Sequence, residues 1–545
     1  MAYSKTPSLS TYETKRIGIL SNPQQRSGAT PTKDARMINV LPELFQSEST
    51  EAKRFVTKSR PGLTSAYTVN SGTARGMYLW LYSSTNYVIT VVGTGVYVNG
   101  TSLTTIGTST GQVGFTEYIN DVGTVSLIML DGTNGYIFSS PLVAPTPITP
   151  SVWTTVTVQA LNSFRKPTTS NGYYYKATVA GTTAAGEPVW PTPSGATVVD
   201  GTVTWTAQDG DFPTPHIPHP IFMDGYLFVG KASSQDIYNS NLNDPTLWTA
   251  GDYASAEMYP DTLRALSKNN NYLYAIGANT IEYLYDAANP TGSPLGRHES
   301  AVQQFGTPAP ATVVQTDNEV ILVGQTANGG YTVWSISGFK EKEIGTPATR
   351  GALFTEGSSL ATAKAYCIRT ANQKLYVLCL SSRTLVYSFD TKMWTEWNSG
   401  ATGATTFLCN IASDGPNGTP YLLHRSGTTV YTMSDAVFTD NGTEFRCEIV
   451  TAKEDFDSLN RKFMSRLSIV GDIPDSAGVN NDVSIEWSDD DYNTWSTART
   501  LSFNYDDPSI NQLGSFRRRA FRIRYSLPQL FRIDGLEVDI NKGNS

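Results

Sequence analysis

Short strand–turn–strand units recur along the middle of this chain at a nearly fixed spacing, and that rhythm narrows the possible folds more than any other feature. The turn residues Asp224, Asn270, Asp317, Asn372 and Asn417 stand 46, 47, 55 and 45 residues apart. Each turn leads into an aromatic or aliphatic run, such as Tyr226-Leu227-Phe228-Val229, Tyr272-Leu273-Tyr274-Ala275 and Leu375-Tyr376-Val377-Leu378. Asn and Asp supply the left-handed backbone that a tight hairpin needs, and β-branched or aromatic runs of four to eight residues favour strands. A period in the mid-forties with three or four strands per unit is the pattern of β-propeller blades, which bury both faces only by stacking radially. Shorter units at Asn86 and Asp121 leave six or seven blades open.

Composition agrees with an all-β reading. Charged residues are 16% of the 545 and aromatics 11%, too apolar for a disordered chain and without the charge pattern of a coiled coil. Four cysteines, Cys367, Cys379, Cys409 and Cys447, each lie in an apolar strand-like run, which predicts buried, reduced thiols. The N-terminus lacks the apolar core of a signal peptide. The run Tyr87 to Val98 is the longest apolar stretch and falls short of a membrane span, so the sequence predicts a soluble chain from a reducing compartment.

The spacing divides the chain into an N-terminal arm (1–63), first blades (64–140), an inserted small β module (141–220), remaining blades (221–440) and a C-terminal β-sandwich (441–545). The module is bracketed by proline clusters, Pro141 to Pro150 and Pro213 to Pro220, and an insertion at a blade tip costs little. After residue 440 the rhythm changes, with strands expected near 443–451, 462–470, 482–488, 519–525 and 531–540.

No residues suggest catalysis. The His216-Ile217-Pro218-His219 pair lacks a helix to place two zinc ligands on one face, and no phosphate loop, nucleophile elbow or Cys-x-x-Cys occurs. The reading therefore assigns no catalytic, cofactor or metal residues. Ser488-Asp489-Asp490-Asp491-Tyr492-Asn493-Thr494-Trp495 resembles the Asp-box of sialidase-like propellers, with Tyr492 where Gly is usual. In those proteins the box staples a hairpin turn, away from the chemistry. Three Asn-Gly-Thr sequons, at Asn99, Asn417 and Asn441, read first as turns.

Net charge is −8, unevenly spread: residues 1–70 carry ten Lys/Arg and five Asp/Glu, whereas residues 71–440 carry 17 and 26. General attraction to nucleic acid is not expected of such a body. Lys53, Arg54, Lys58 and Arg60 flank the Pro61-Gly62 turn and are candidate assembly contacts for an acidic neighbour. Arg518, Arg522 and Arg524 are further candidates. Along that run Ala520, Arg522 and Arg524 face one way and Phe521, Ile523 and Tyr525 the other.

Several patches together are similar to the tail hub, or nozzle, proteins of short-tailed bacteriophages, also termed packaged-DNA stabilisation proteins. They include Asn39-Val40-Leu41-Pro42-Glu43 with Arg60-Pro61-Gly62-Leu63, and Tyr238-Asn239-Ser240-Asn241-Leu242-Asn243-Asp244-Pro245 with Trp248, Ala256-Glu257 and Pro260-Asp261. Gly330-Tyr331-Thr332-Val333-Trp334, Trp394-Thr395-Glu396-Trp397 and Trp487-Ser488-Asp489-Asp490 complete the resemblance. One departure is Glu341-Lys342-Glu343-Ile344, where relatives more often carry a basic cluster. The resemblance implies a propeller subunit of a hexameric ring at the distal end of a virion tail, assembled in the host cytoplasm. It implies contacts with a tail adaptor or head-completion ring, with fibres or spikes and with a plug or needle. DNA would pass through the lumen without sequence-specific binding. The Asp-box-like turn and the aromatic insert leave a second class of function open, a glycan-binding or glycan-cleaving tail protein.

Overall fold

The computed structural model describes residues 13–18, 35–45, 54–403, 405–472, 481–505 and 507–543. Strands dominate, and among the described residues the single α-helix is Pro347–Glu356. It begins at Thr346, whose side chain accepts from the Thr349 backbone N–H at 3.3 Å while Thr349 caps it in return.

Seven antiparallel sheets follow one another along residues 62–440. Their first strands, leaving aside the two-residue strand Phe305–Gly306 of the fifth sheet, are Ala74–Tyr82, Gly114–Ile119, Ile221–Met223, Leu263–Asn269, Val314–Thr316, Lys364–Arg369 and Cys409–Ser413. In six of these sheets the repeated Asn/Asp turn joins the first strand to the second; in the first sheet Ser83-Ser84 makes that turn between paired Tyr82 and Thr85, and Asn86 lies within the second strand. Met223 pairs with Tyr226 around Asp224, Asn269 with Tyr272 around Asn270, and Thr316 with Glu319 around Asp317. These three turn residues hold φ of 50°, 52° and 41°, the left-handed region that Asn and Asp tolerate best.

Hydrophobic clusters lie between successive sheets and close the circuit. Trp80 and Val96 pack with Leu127 and Phe138, Leu130 with Leu227 and Trp248, and Phe228 with Leu273. Tyr274 then meets Leu322, Val323 meets Leu378, and Val377 meets Leu422. The last cluster sets Leu423 and Val430 against Met77 and Val88, joining the seventh sheet to the first. The first strands run side by side around a common axis, so close that two positions require glycine. A Cβ on Gly76 would sit 2.6 Å from the Val113 carbonyl oxygen, and one on Gly114 would sit 2.0 Å from that of Pro218. The fourth strand of the seventh sheet comes from far upstream: Gly62–Thr68 pairs antiparallel with Thr429–Ser434, Ser434 opposite Gly62.

Between Thr146–Pro147, the last strand of the second sheet, and Ile221–Met223 the chain forms a separate small sheet in the order Phe164–Arg165, Tyr173–Val179, Val203–Asp209, Thr197–Asp200. Tyr175, Val203 and Trp205 are fully buried there. The Asp200 carboxylate, in the Asp-Gly turn, accepts from the indole N–H of both Trp153 (2.7 Å) and Trp205 (3.0 Å).

Two further sheets enclose the cluster formed by Met37, Ile449, Leu467, Ile485, Ile523 and Val538. One combines Arg36–Ile38, Cys447–Val450, Ala520–Tyr525, Asp482–Ser488 and Arg499–Ser502, and continues the sixth sheet through Ile38 opposite Glu396. The other combines Glu13–Gly18, Val40–Phe45, Arg54–Ser59, Lys462–Gly471 and Arg532–Lys542. The sequence reading treats residues 1–63 as an N-terminal arm. The described part of that stretch is instead woven into these sheets, with Met37, Ile38, Val40, Leu41 and Val56 buried. Pairing explains the difference: consecutive residues of these strands are buried, polar Thr57, Lys58 and Ser59 included, and the polar ones find partners, Glu43 for Lys58 and the Ile533 carbonyl for Thr57.

Candidate functional site

The candidate assembly residues occupy quite different environments. Lys53 lies outside the described residues, and Arg54 stands opposite Phe45 in the outer strand pair. Lys58 is nearly buried, its Nζ 2.5 Å from Glu43 Oε1 and 3.7 Å from Asp435 Oδ1.

Arg60 has no exposed surface. Its Nε donates to Asn39 Oδ1 (2.9 Å), Nη1 to the Pro61 carbonyl (3.0 Å), and Nη2 to the Asn398 carbonyl (3.0 Å) and Asp440 Oδ2 (2.7 Å). The guanidinium lies over the rings of Phe445, Phe407 and Trp397 at 3.8, 4.9 and 5.9 Å. Asn39, at φ 55°, turns the chain so that its side-chain oxygen also accepts from Asn398 N–H. A planar cation with five donors suits a junction of several loops, which a flexible ammonium would not bind as well. Arg60 is thus an internal tie between the N-terminal strands, the sixth sheet and the C-terminal sheets. It has no surface to offer a neighbour in an assembly.

Arg522 and Arg524 lie on the face of their strand opposite the core, and Phe521, Ile523 and Tyr525 are in the core. Arg522 reaches Glu486 at 2.6 Å and stacks on Trp495 at 4.2 Å. Arg524 bridges Glu448 at 2.7 Å and Glu486 at 2.9 Å. Two further arginines, absent from the sequence reading, complete the group: Arg36 at 2.7 Å and Arg446 at 3.6 Å from Glu448. Four guanidiniums therefore surround two carboxylates, leaving the face cationic in a chain of net negative charge. Burial would raise the Glu448 carboxyl, but Arg36, Arg524 and Arg446 outweigh it and hold it below the ordinary range. The signal in the sequence was a lone Glu in the apolar run Cys447-Glu448-Ile449-Val450, which on a half-buried strand requires a cation opposite. Arg518, by contrast, is exposed and pairs with Asp491 at 3.2 Å.

The Asp-box-like turn is a hairpin staple, tied to its surroundings by Asp489 to Arg519 at 2.8 Å and by Asp491 to Lys453 at 2.7 Å. Asp490 accepts from the Thr494 backbone N–H (2.9 Å), the Thr494 hydroxyl (2.6 Å) and the Ser488 hydroxyl (2.9 Å), while Ser488 Oγ accepts from Tyr492 N–H. These bonds lower the Asp490 carboxyl to about 2. Trp495 packs beneath, against Val450, Tyr492 and Ala520. His216 is buried edge-on to Phe212 with Nδ1 against the Pro213 carbonyl, and among the described residues no group of three or more His, Cys, Asp or Glu is placed to hold a metal. Trp334, stacked on Phe305 at 4.5 Å, is half-buried.

Residues 192–410 match the family model for bacteriophage P22 Gp10, a β-propeller of the phage-stabilisation family. No curated protein matches. Among solved structures, a calcium-binding regucalcin from Agrobacterium tumefaciens strain C58 aligns at 10% identity over 44% of this chain and 83% of its own, with a TM-score of 0.24. The N-terminal domain of Nup159 aligns at 8% identity over 72% and 99%, with a TM-score of 0.25. The extracellular domain of the one-component system BT4673 from B. thetaiotaomicron aligns at 9% identity over 90% and 80%, with a TM-score of 0.24. These superpositions are too loose to bear on function.

Proposed function

We propose, on the premise that residues 192–410 place this chain in the P22 Gp10 phage-stabilisation family, that it is the nozzle subunit of a short phage tail, a structural ring protein that retains packaged DNA. The family match carries this reading. Its architecture would be a seven-bladed propeller over residues 62–440, one blade per sheet, with the small module inserted between the second and third blades. The two remaining sheets would form a β-sandwich. The role is structural, without catalysis of its own.

Six copies at −8 each bring −48 formal charges to a ring. A net acidic lumen suits DNA that carries one charge per ~1.7 Å and must slide past without adhering. The cationic face around Glu448 and Glu486, with the exposed Arg518, is the surface best suited to acidic neighbours: an adaptor ring, fibres or spikes, or the next subunit. A glycan-binding role would draw on the Asp-box-like turn, but Asp490 is engaged within the turn, and Asp489 and Asp491 are engaged by Arg519, Arg518 and Lys453. Electron microscopy of the purified protein tests the proposal: six-fold rings are expected, and strictly monomeric particles at high concentration would count against it.

A further inference from the structure

The first strands of the seven sheets enclose a cavity of about 380 Å³ on their common axis. Its chemistry is one-sided. Arg75, Lys268, Lys364 and His219 contribute to its wall, and among the described residues no aspartate or glutamate does, although the chain has more acidic than basic side chains.

Lys364 reaches from the sixth sheet to the first, where its Nζ donates to the Ala74 carbonyl at 2.7 Å. Lys268 donates to the Phe222 carbonyl at 2.6 Å. An ammonium carries three donors, so each keeps two beyond these bonds. Among the described residues, neither lysine takes part in an ion pair. The charged neighbours that act on Lys364 are Arg425 and Arg75, which repel it, and the Cys379 thiol, while Asp224 acts on Lys268 only from a distance. Arg75 adds charge more than donors, because its guanidinium is occupied by the Gly93, Gly111 and Thr108 carbonyls and the Thr108 hydroxyl. Among the described residues neither nitrogen of the His219 ring has a hydrogen-bond partner of good geometry, although the Pro310 carbonyl lies nearby.

A buried cation without a counter-charge is costly, and removing it by deprotonation is the usual relief. Burial with two like charges nearby indeed pushes Lys364 down to about 8. An anion in the cavity would give both ammonium groups their missing partner and His219 an acceptor. The unpaired inner edges of the first strands would add backbone donors.

We propose that the axial cavity is an oxyanion site, in which Lys364 and Lys268 bind a phosphate or carboxylate group with His219 as an additional donor. The site belongs to the single chain and does not depend on ring formation, so its test is independent of the nozzle reading.

The test is calorimetric titration of the full-length protein at pH 7 and constant ionic strength with inorganic phosphate and, separately, with acetate. One saturable site per chain is expected, weakened about tenfold or more in Lys364→Met and in Lys268→Met. Both variants are first checked for wild-type circular dichroism, and either one that folds suffices. Tighter binding of phosphate identifies a phosphoryl ligand; equal or tighter binding of acetate identifies a carboxylate, such as an acidic side chain of a partner. No saturable binding of either anion to the wild-type protein overturns the proposal, as does unchanged affinity in a folded lysine variant.

Discussion

The Arg60 guanidinium lies 3.8 Å over the Phe445 ring while its Nη2 meets Asp440 Oδ2 at 2.7 Å, so one side chain is held by an aromatic face and a buried carboxylate together. Removing a single partner from such a pair leaves a charge stranded without solvent. Arg60→Met is therefore expected to destabilise the protein by about 3–5 kcal/mol, and Asp440→Asn by a smaller amount. Denaturant unfolding measures both; a loss below about 1 kcal/mol for Arg60→Met would show that the tie is not structural.

The basic residues on the far sheet should separate by environment. Arg518→Glu, on an exposed pair, should leave the melting temperature nearly unchanged and weaken association with a neighbouring subunit or adaptor. Arg524→Glu should lower the melting temperature first, since it adds a third carboxylate beside Glu448 and Glu486. Paired melting and sedimentation measurements distinguish the two, and equal melting temperatures for both variants would contradict the assignment.

Acid should act partly through His216. Burial lowers this imidazole to about 4, so it stays neutral in the folded protein while the unfolded chain takes up a proton near 6.5. The resulting stability is complete above pH 6.5 and is lost as pH falls from 6.5 to 4, on the order of 3 kcal/mol. Melting curves across that window should fall more steeply for the wild type than for a folded His216→Phe variant. Parallel curves would refute the assignment.

Alkali should act through the thiols. Burial raises Cys379 to about 11 and Cys367 and Cys447 to about 12. Stability from these groups is complete below the unfolded value of 9 and is lost as pH rises through 9 to 12. A thiol reagent at pH 8 should therefore label Cys379, Cys409 and Cys447 only after denaturation. Rapid labelling of any of them in the native protein would disprove their burial.

The Asp-box-like turn should prove structural. Asp490→Asn should lower the melting temperature by weakening three hydrogen bonds, and purified protein should leave host surface polysaccharide at full length. Depolymerisation lost in Asp490→Asn at an unchanged melting temperature would falsify the structural reading and support the glycan-directed one.

Much of the architecture is legible in the residues themselves. The turns at Asp224, Asn270 and Asp317 mark the same corner of successive sheets, because a two-residue hairpin demands left-handed backbone at each repeat. The alternation of Arg522 and Arg524 with Phe521 and Ile523 gives the orientation of that strand for the same local reason. What remains hidden is long-range. Arg60 reads as a surface residue because its partners Asn398 and Asp440 lie 338 and 380 positions away. The axial lysines also look ordinary in sequence: nothing near Lys268 or Lys364 reveals that the ring brings both to one cavity.

The pairing of Gly62–Thr68 with Thr429–Ser434 governs how the protein comes into being as well as how it is built. The upstream strand leaves the ribosome about 360 residues before its partner, and its flanking strands await sheets made later still. Until then the sheets can stack but the circle cannot lock, so closure is a late event of high contact order.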